Sequence, residues 1–125
     1  MSRDDAYLLD ILRAAQAIRR FVAGVTKDAF LANEEKYEAV NRKFEIIGEA
    51  ARHLSSEAQE ALADVPWRKI VAMRNILIHD YDDVDLEVVW DTAQQHLLPL
   101  IAKLEAHLAA TRPERRQPSA PNAET

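Results

Sequence analysis

Arg74, Asn75, His79 and Tyr81 fall within one short segment, RNILIHDY. Arginine binds phosphate with a planar fork of donors and keeps its proton at all physiological pH values. Histidine titrates near neutrality and can carry protons. Asparagine can orient either group, and tyrosine offers a hydroxyl. An Arg–His pair without a set of metal ligands suits transesterification of RNA, in which a ribose hydroxyl attacks its own phosphate. His79 would move the proton and Arg74 would stabilise charge on phosphorus. A plainer explanation stands beside this one, because the helix dipole alone favours Arg and His near a C-terminus.

Spacing decides what a helix would have to do to gather these groups. Asn75 and His79 are four apart and share a face; Arg74 and Tyr81, seven apart, do so if the helix persists. Arg74 and His79 are five apart and poorly aligned, so unwinding at Ile78 to Asp80 is expected to swing His79 toward Arg74.

The elements that must position them are helical. The chain has 125 residues, 48% hydrophobic and 30% charged, with only 2 glycines and no cysteine. That composition fits one soluble all-α domain, and it excludes disulfides, thiolate metal sites and cysteine nucleophiles. Periodicity predicts a helix from about Asp4 to Val25, a short turn or loop over TKDAFLAN, and a helix from about Glu34 to Leu54 capped by Asn33. Gly48 inside that helix costs about 1 kcal/mol relative to alanine, which a close helix–helix approach would offset. Ser56 and Gln59 read as a capping box for a short helix. Pro66 opens the helix that carries Arg74 and frays near His79. Asp83 or Asp85 caps a last long helix reaching about Ala110, kinked at Pro99. Residues 1–111 are expected to form the domain, and residues 112–125, rich in Pro and polar residues, a disordered tail.

The formal net charge is −5, which argues against a general nucleic-acid-binding surface and requires any RNA contact to be local. No apolar run approaches the length needed to span a bilayer, and the N-terminus lacks a signal-peptide core, so a cytoplasmic protein is expected. His53, His96 and His107 are isolated on helices, and their spacing favours surface or helix-end roles. The aspartates at 82, 83 and 85 lack the glycine and closing glutamate of a calcium loop and fit capping and solvation. Trp67 and Trp90 read as core or interface residues. Glu49 and Arg52 read as a surface pair, the alternative being that Glu49 reaches the site around Arg74.

RNILIHDY, preceded by EIIGEAARHLS and VPWRKIVAMRN and followed by VDLEVVWDTAQQHLLPL, resembles the HepT-like family of HEPN-domain proteins over essentially Asp4 to Leu108. The resemblance implies an antiparallel up-and-down bundle of four main helices plus a short one, paired as a homodimer with both Arg–His motifs facing a shared cleft. It implies a toxin of a toxin–antitoxin pair that cleaves RNA without metal or other cofactor, with Arg74 and His79 as the catalytic pair and Asn75 as their helper. It further implies a partner, a minimal nucleotidyltransferase antitoxin that transfers AMP to Tyr81. The competing expectation is a non-catalytic helical dimer that serves as binding partner and modification substrate of that enzyme. A purely structural bundle is a third.

Overall fold

The structure, a computed structural model, describes residues 2–111; the expected tail at 112–125 lies outside the described residues. Seven α-helices and one 3₁₀ turn make up the described fold, with no strand: α1 Arg3–Val22, α2 Lys27–Ala32, α3 Glu34–Arg52, α4 Ser56–Ala61, α5 Trp67–His79, the 3₁₀ turn Tyr81–Asp83, α6 Leu86–Gln95 and α7 Leu97–Ala110. The fold is the all-α, HEPN-like helical bundle that the sequence led us to expect.

Local chemistry sets most boundaries. Ser2, Thr26, Asn33, Ser55 and Asp85 each accept a hydrogen bond from a backbone N–H in the first turn that follows, which satisfies donors the helix cannot use. The cap of α4 is therefore Ser55, bonded to Ala58, in place of the expected Ser56–Gln59 box. Gln59 instead donates to the Ala51 carbonyl. The first helix stops at Val22, short of Val25, and the chain turns at Gly24 with φ +72°, a conformation glycine adopts without strain.

The expected last long helix is two helices. It breaks at His96, which ends α6 and begins α7. Pro99 is the cause: it lacks the N–H that would bond the Gln95 carbonyl, and its ring crowds that group. Starting a new helix at Leu97 places Pro99 in a first turn, where the missing donor costs nothing.

The long helices pack in the order α5, α3, α1, α7. Polar ties show that neighbours run antiparallel. At one end of α1, Asp4 accepts from the Ser55 backbone at 3.0 Å and from its hydroxyl at 2.6 Å; at the other, Lys36 donates to the Phe21 carbonyl. Leu8, Ile11, Ile18, Phe30, Val40, Ile47 and Leu104 form the fully buried centre. Trp67 and Trp90 belong to this core, Trp67 donating to the Leu62 carbonyl and Trp90 packing on Phe30. The helix α5 is an outer member. It buries only Trp67 and Leu77, and Ile76 and Ile78 remain 42% exposed. No helix among the described residues is long and apolar enough to cross a membrane.

Candidate functional site

The α3–α5 contact holds the residues of interest, and Gly48 makes it possible. A Cβ built at Gly48 would collide with the Cβ of Arg74 and lie 3.1 Å from the Ile70 carbonyl. The absent side chain lets α5 lie against α3, which is the close approach expected at this glycine. Arg74 is thereby drawn in until its side chain is only 16% exposed.

Its guanidinium is held at both ends. One terminal nitrogen donates to Asn75 Oδ1 at 2.8 Å, and the other meets Glu49 Oε1 at 2.9 Å. The Nε–H is buried and has no partner among the described residues. Glu49 is a hub rather than half of a surface pair. Its second oxygen takes Arg52 at 3.1 Å and His53 Nε2 at 3.0 Å, and the His53 ring stacks on Tyr7 of α1 at 5.4 Å. The His53 hydrogen bond first, then the positive charges of Arg52 and Arg74, hold the Glu49 carboxyl below the usual carboxylate range.

His79 is the last residue of α5 and is exposed. Its side chain makes no hydrogen bond or ion pair among the described residues. The helix continues through His79 and gives way only at Asp80, so of the stretch Ile78 to Asp80 where unwinding was expected only the last residue leaves the helix. Five helical positions place Arg74 and His79 ~140° apart around the axis. One chain by itself does not aim the two side chains at one point.

Tyr81 does not hang free beyond the helix end. The 3₁₀ turn folds it back on α3, where its hydroxyl donates to Glu38 Oε2 at 2.5 Å while the residue stays 43% exposed. That bond, and then partial burial, raise the phenol pKa. The Asn41 amide lies beside the same hydroxyl and draws its pKa the other way, without forming a well-aligned hydrogen bond. Asn41 is 1% exposed, and both of its side-chain polar atoms lack a partner among the described residues. The rim aspartates are exposed; Asp85 caps α6. His96 sits at the α6–α7 break and His107 in the last turn of α7.

Nothing in the sequence marks Glu38 or Asn41, and the spacing of Glu49 and Arg52 by itself predicts only a surface pair. Glu38, Asn41 and Glu49 lie with Gly48 and Arg52 on one helical face. A polar stripe on an amphipathic helix reads as solvated, but a glycine within it signals that another backbone comes close.

Comparison with known proteins identifies the family of the chain. The family described as "Ribonuclease HepT-like" matches residues 11–107. The chain is similar to "Putative RNase MJ1380" of Methanocaldococcus jannaschii, 37% identical over 82% of this chain and 95% of that protein. It is similar to "Probable ribonuclease HepT" of Thermococcus cleftensis, 35% identical over 79% of this chain and 90% of that protein. A third relative, "Putative RNase TTE0752" of Caldanaerobacter subterraneus, is 36% identical over 69% of this chain and 77% of its own length. No solved structure gave a significant match.

Proposed function

The chain belongs to the HepT-like ribonuclease family, and from that premise we propose that it is a cytoplasmic endoribonuclease, the toxin of a toxin–antitoxin pair, that cleaves RNA with Arg74 and His79. The observation that carries this reading is the half-satisfied guanidinium of Arg74. Two of its nitrogens are anchored by Glu49 and Asn75, and a third is buried without a partner. A buried donor left unpaired costs stability, and a swing of the side chain that exposes it would offer it to a phosphate oxygen.

In the reaction, neutral His79 takes the proton of a ribose 2′-hydroxyl. The freed oxygen attacks the adjacent phosphorus, the bond to the 5′-oxygen breaks, and the leaving oxygen is protonated by an imidazolium or by water. Arg74 offsets the charge on the phosphoryl oxygens. No metal is required in this scheme. Because Arg74 and His79 diverge around α5, the working cleft is assembled from two copies of the chain, each contributing its motif.

Tyr81 stands at the same rim with its hydroxyl within reach of a partner. A nucleotidyltransferase antitoxin would join this oxygen to the α-phosphorus of ATP with release of pyrophosphate, the phenolic proton passing to Glu38. The added AMP would occupy the cleft with its phosphate near Arg74 and so silence it.

The test is cleavage of unmodified RNA by the purified chain in excess chelator. Arg74→Ala and His79→Ala are each expected to lower the rate by at least ~100-fold with helicity unchanged; full activity in both would overturn the reading. The four aspartates of the rim, Asp80, Asp82, Asp83 and Asp85, favour the second reading, a non-catalytic dimer that binds and is modified by the nucleotidyltransferase. In that case His79→Ala changes nothing measurable, and the parent leaves RNA intact.

A further inference from the structure

An acidic ribonuclease must hold a polyanion somewhere, and the motif rim carries carboxylates. On the flank of α3 away from Arg74, a groove runs between α1 and α3 with Arg13 and Arg20 on one wall and Lys43 on the other. Residues 10, 13, 17 and 20 recur along one face of α1. Ala14 and Ala17, 4% and 5% exposed, keep the floor low.

The cations of this groove outnumber its carboxylates. Arg19, Lys36, Arg42 and Arg52 on the same two helices are each tied to an acceptor. The side chains of Arg13, Arg20 and Lys43 make no hydrogen bond or ion pair among the described residues. Asp10 is the one carboxylate in the lining. The local balance is thus positive in a chain of net charge −5.

We infer that this groove binds the sugar–phosphate backbone of single-stranded RNA, as an accessory site that retains substrate one helix away from Arg74. Arg13 and Arg20 are separated by about 10 Å along α1, so they address different phosphates of one strand. Lys43 meets the strand from the opposite wall. From the groove to Arg74 is roughly one helix diameter, about 10 Å. Contacts of this kind position a strand without reading its bases, and they are dissolved by salt. The choice of RNA as ligand rests on the ribonuclease reading.

The experiment measures binding of a mixed-sequence 2′-O-methyl oligoribonucleotide, which the proposed chemistry cannot cleave, by fluorescence anisotropy at several salt concentrations. The triple variant Arg13→Gln, Arg20→Gln, Lys43→Gln is expected to bind about tenfold more weakly near physiological salt and to lose about 2 from the slope of log affinity against log salt, since each lost single-strand contact removes ~0.7. The single variants, run in parallel, are each expected to lose ~0.7. Arg68→Gln with Lys69→Gln removes two cations outside the groove and is expected to leave the slope unchanged. An equal loss in that control, or a triple variant that binds as the parent does, would overturn the inference. So would unchanged RNA binding with weakened association to the nucleotidyltransferase, which would assign the groove to a protein. Cleavage of unmodified RNA by the parent reports separately on the ribonuclease reading, so the two can fail independently.

Discussion

Glu49 decides how much freedom Arg74 has. Its carboxylate takes Arg74, Arg52 and His53 together, and a guanidinium fixed in this way loses less entropy when it meets phosphate. Glu49→Gln keeps the shape and removes the charge. The expected result is a ~10- to 100-fold loss in kcat with little change in melting temperature, partly restored in Glu49→Asp. A residue that merely supported the fold would show the reverse. At Tyr81, Glu38→Gln is expected to return the phenol toward its ordinary pKa of 10.0, read as tyrosinate absorbance with the Tyr81→Phe protein subtracted. The sign follows from linkage: the fold favours the protonated phenol, so this contribution to stability is intact below the ordinary pKa and is lost as pH rises through the raised value. Melts taken above about pH 10 should therefore fall more steeply for the parent than for Tyr81→Phe.

Two helices define the site, and one missing side chain sets their distance. Glycine to alanine in a helix interior ordinarily gains about 1 kcal/mol. At Gly48 the new methyl group would enter the space of the Arg74 Cβ, where overpacking costs about 1–3 kcal/mol. Gly48→Ala is thus expected to lower stability in a denaturant titration and to lower RNA cleavage further, because Arg74 is the group displaced. Just beyond the C-terminal end of α3, Ser55 caps α4 and also donates to Asp4. Its two bonds to Asp4 hold that carboxyl below the usual range. Ser55→Ala should cost ~1 kcal/mol at neutral pH. The part due to Asp4 is present above the ordinary carboxylate pKa and fades as pH falls through the lowered one, so the gap between parent and variant should narrow in acid to the share of the cap.

At the scale of the molecule, the outer position of α5 leaves apolar surface uncovered beside the motif. Ile76 and Ile78 are 42% exposed, and Val88 and Leu98 on α6 and α7 are 54% exposed. A two-fold pairing that covers the α5 face would also bring two copies of Arg74 and His79 to one cleft. Light scattering is expected to give twice the 14.2 kDa chain mass. Ile78→Glu should shift the mass to monomer and abolish cleavage together, while Leu98→Glu, away from α5, should leave cleavage intact. A fully active Ile78→Glu monomer would sever the link between pairing and catalysis.

Local interactions made much of this legible from the sequence. Asn33, Asp85 and Pro66 mark helix starts because a cap or a first-turn proline acts on its immediate neighbours, and Leu8, Val40 and Ile47 declare the core through helical period. The Arg–His–Tyr segment was visible for the same reason: all its members lie within eight residues. Pro99 was read correctly as a disturbance, but whether a helix bends or restarts depends on what packs against its two halves. Glu38, Asn41 and Glu49 needed the fold, since each acts across the α3–α5 contact on a residue 25 or more positions away. Gly48 stood between these cases. Its cost was local and readable, while the identity of the side chain that fills its space, Arg74, was settled only when α5 packed on α3.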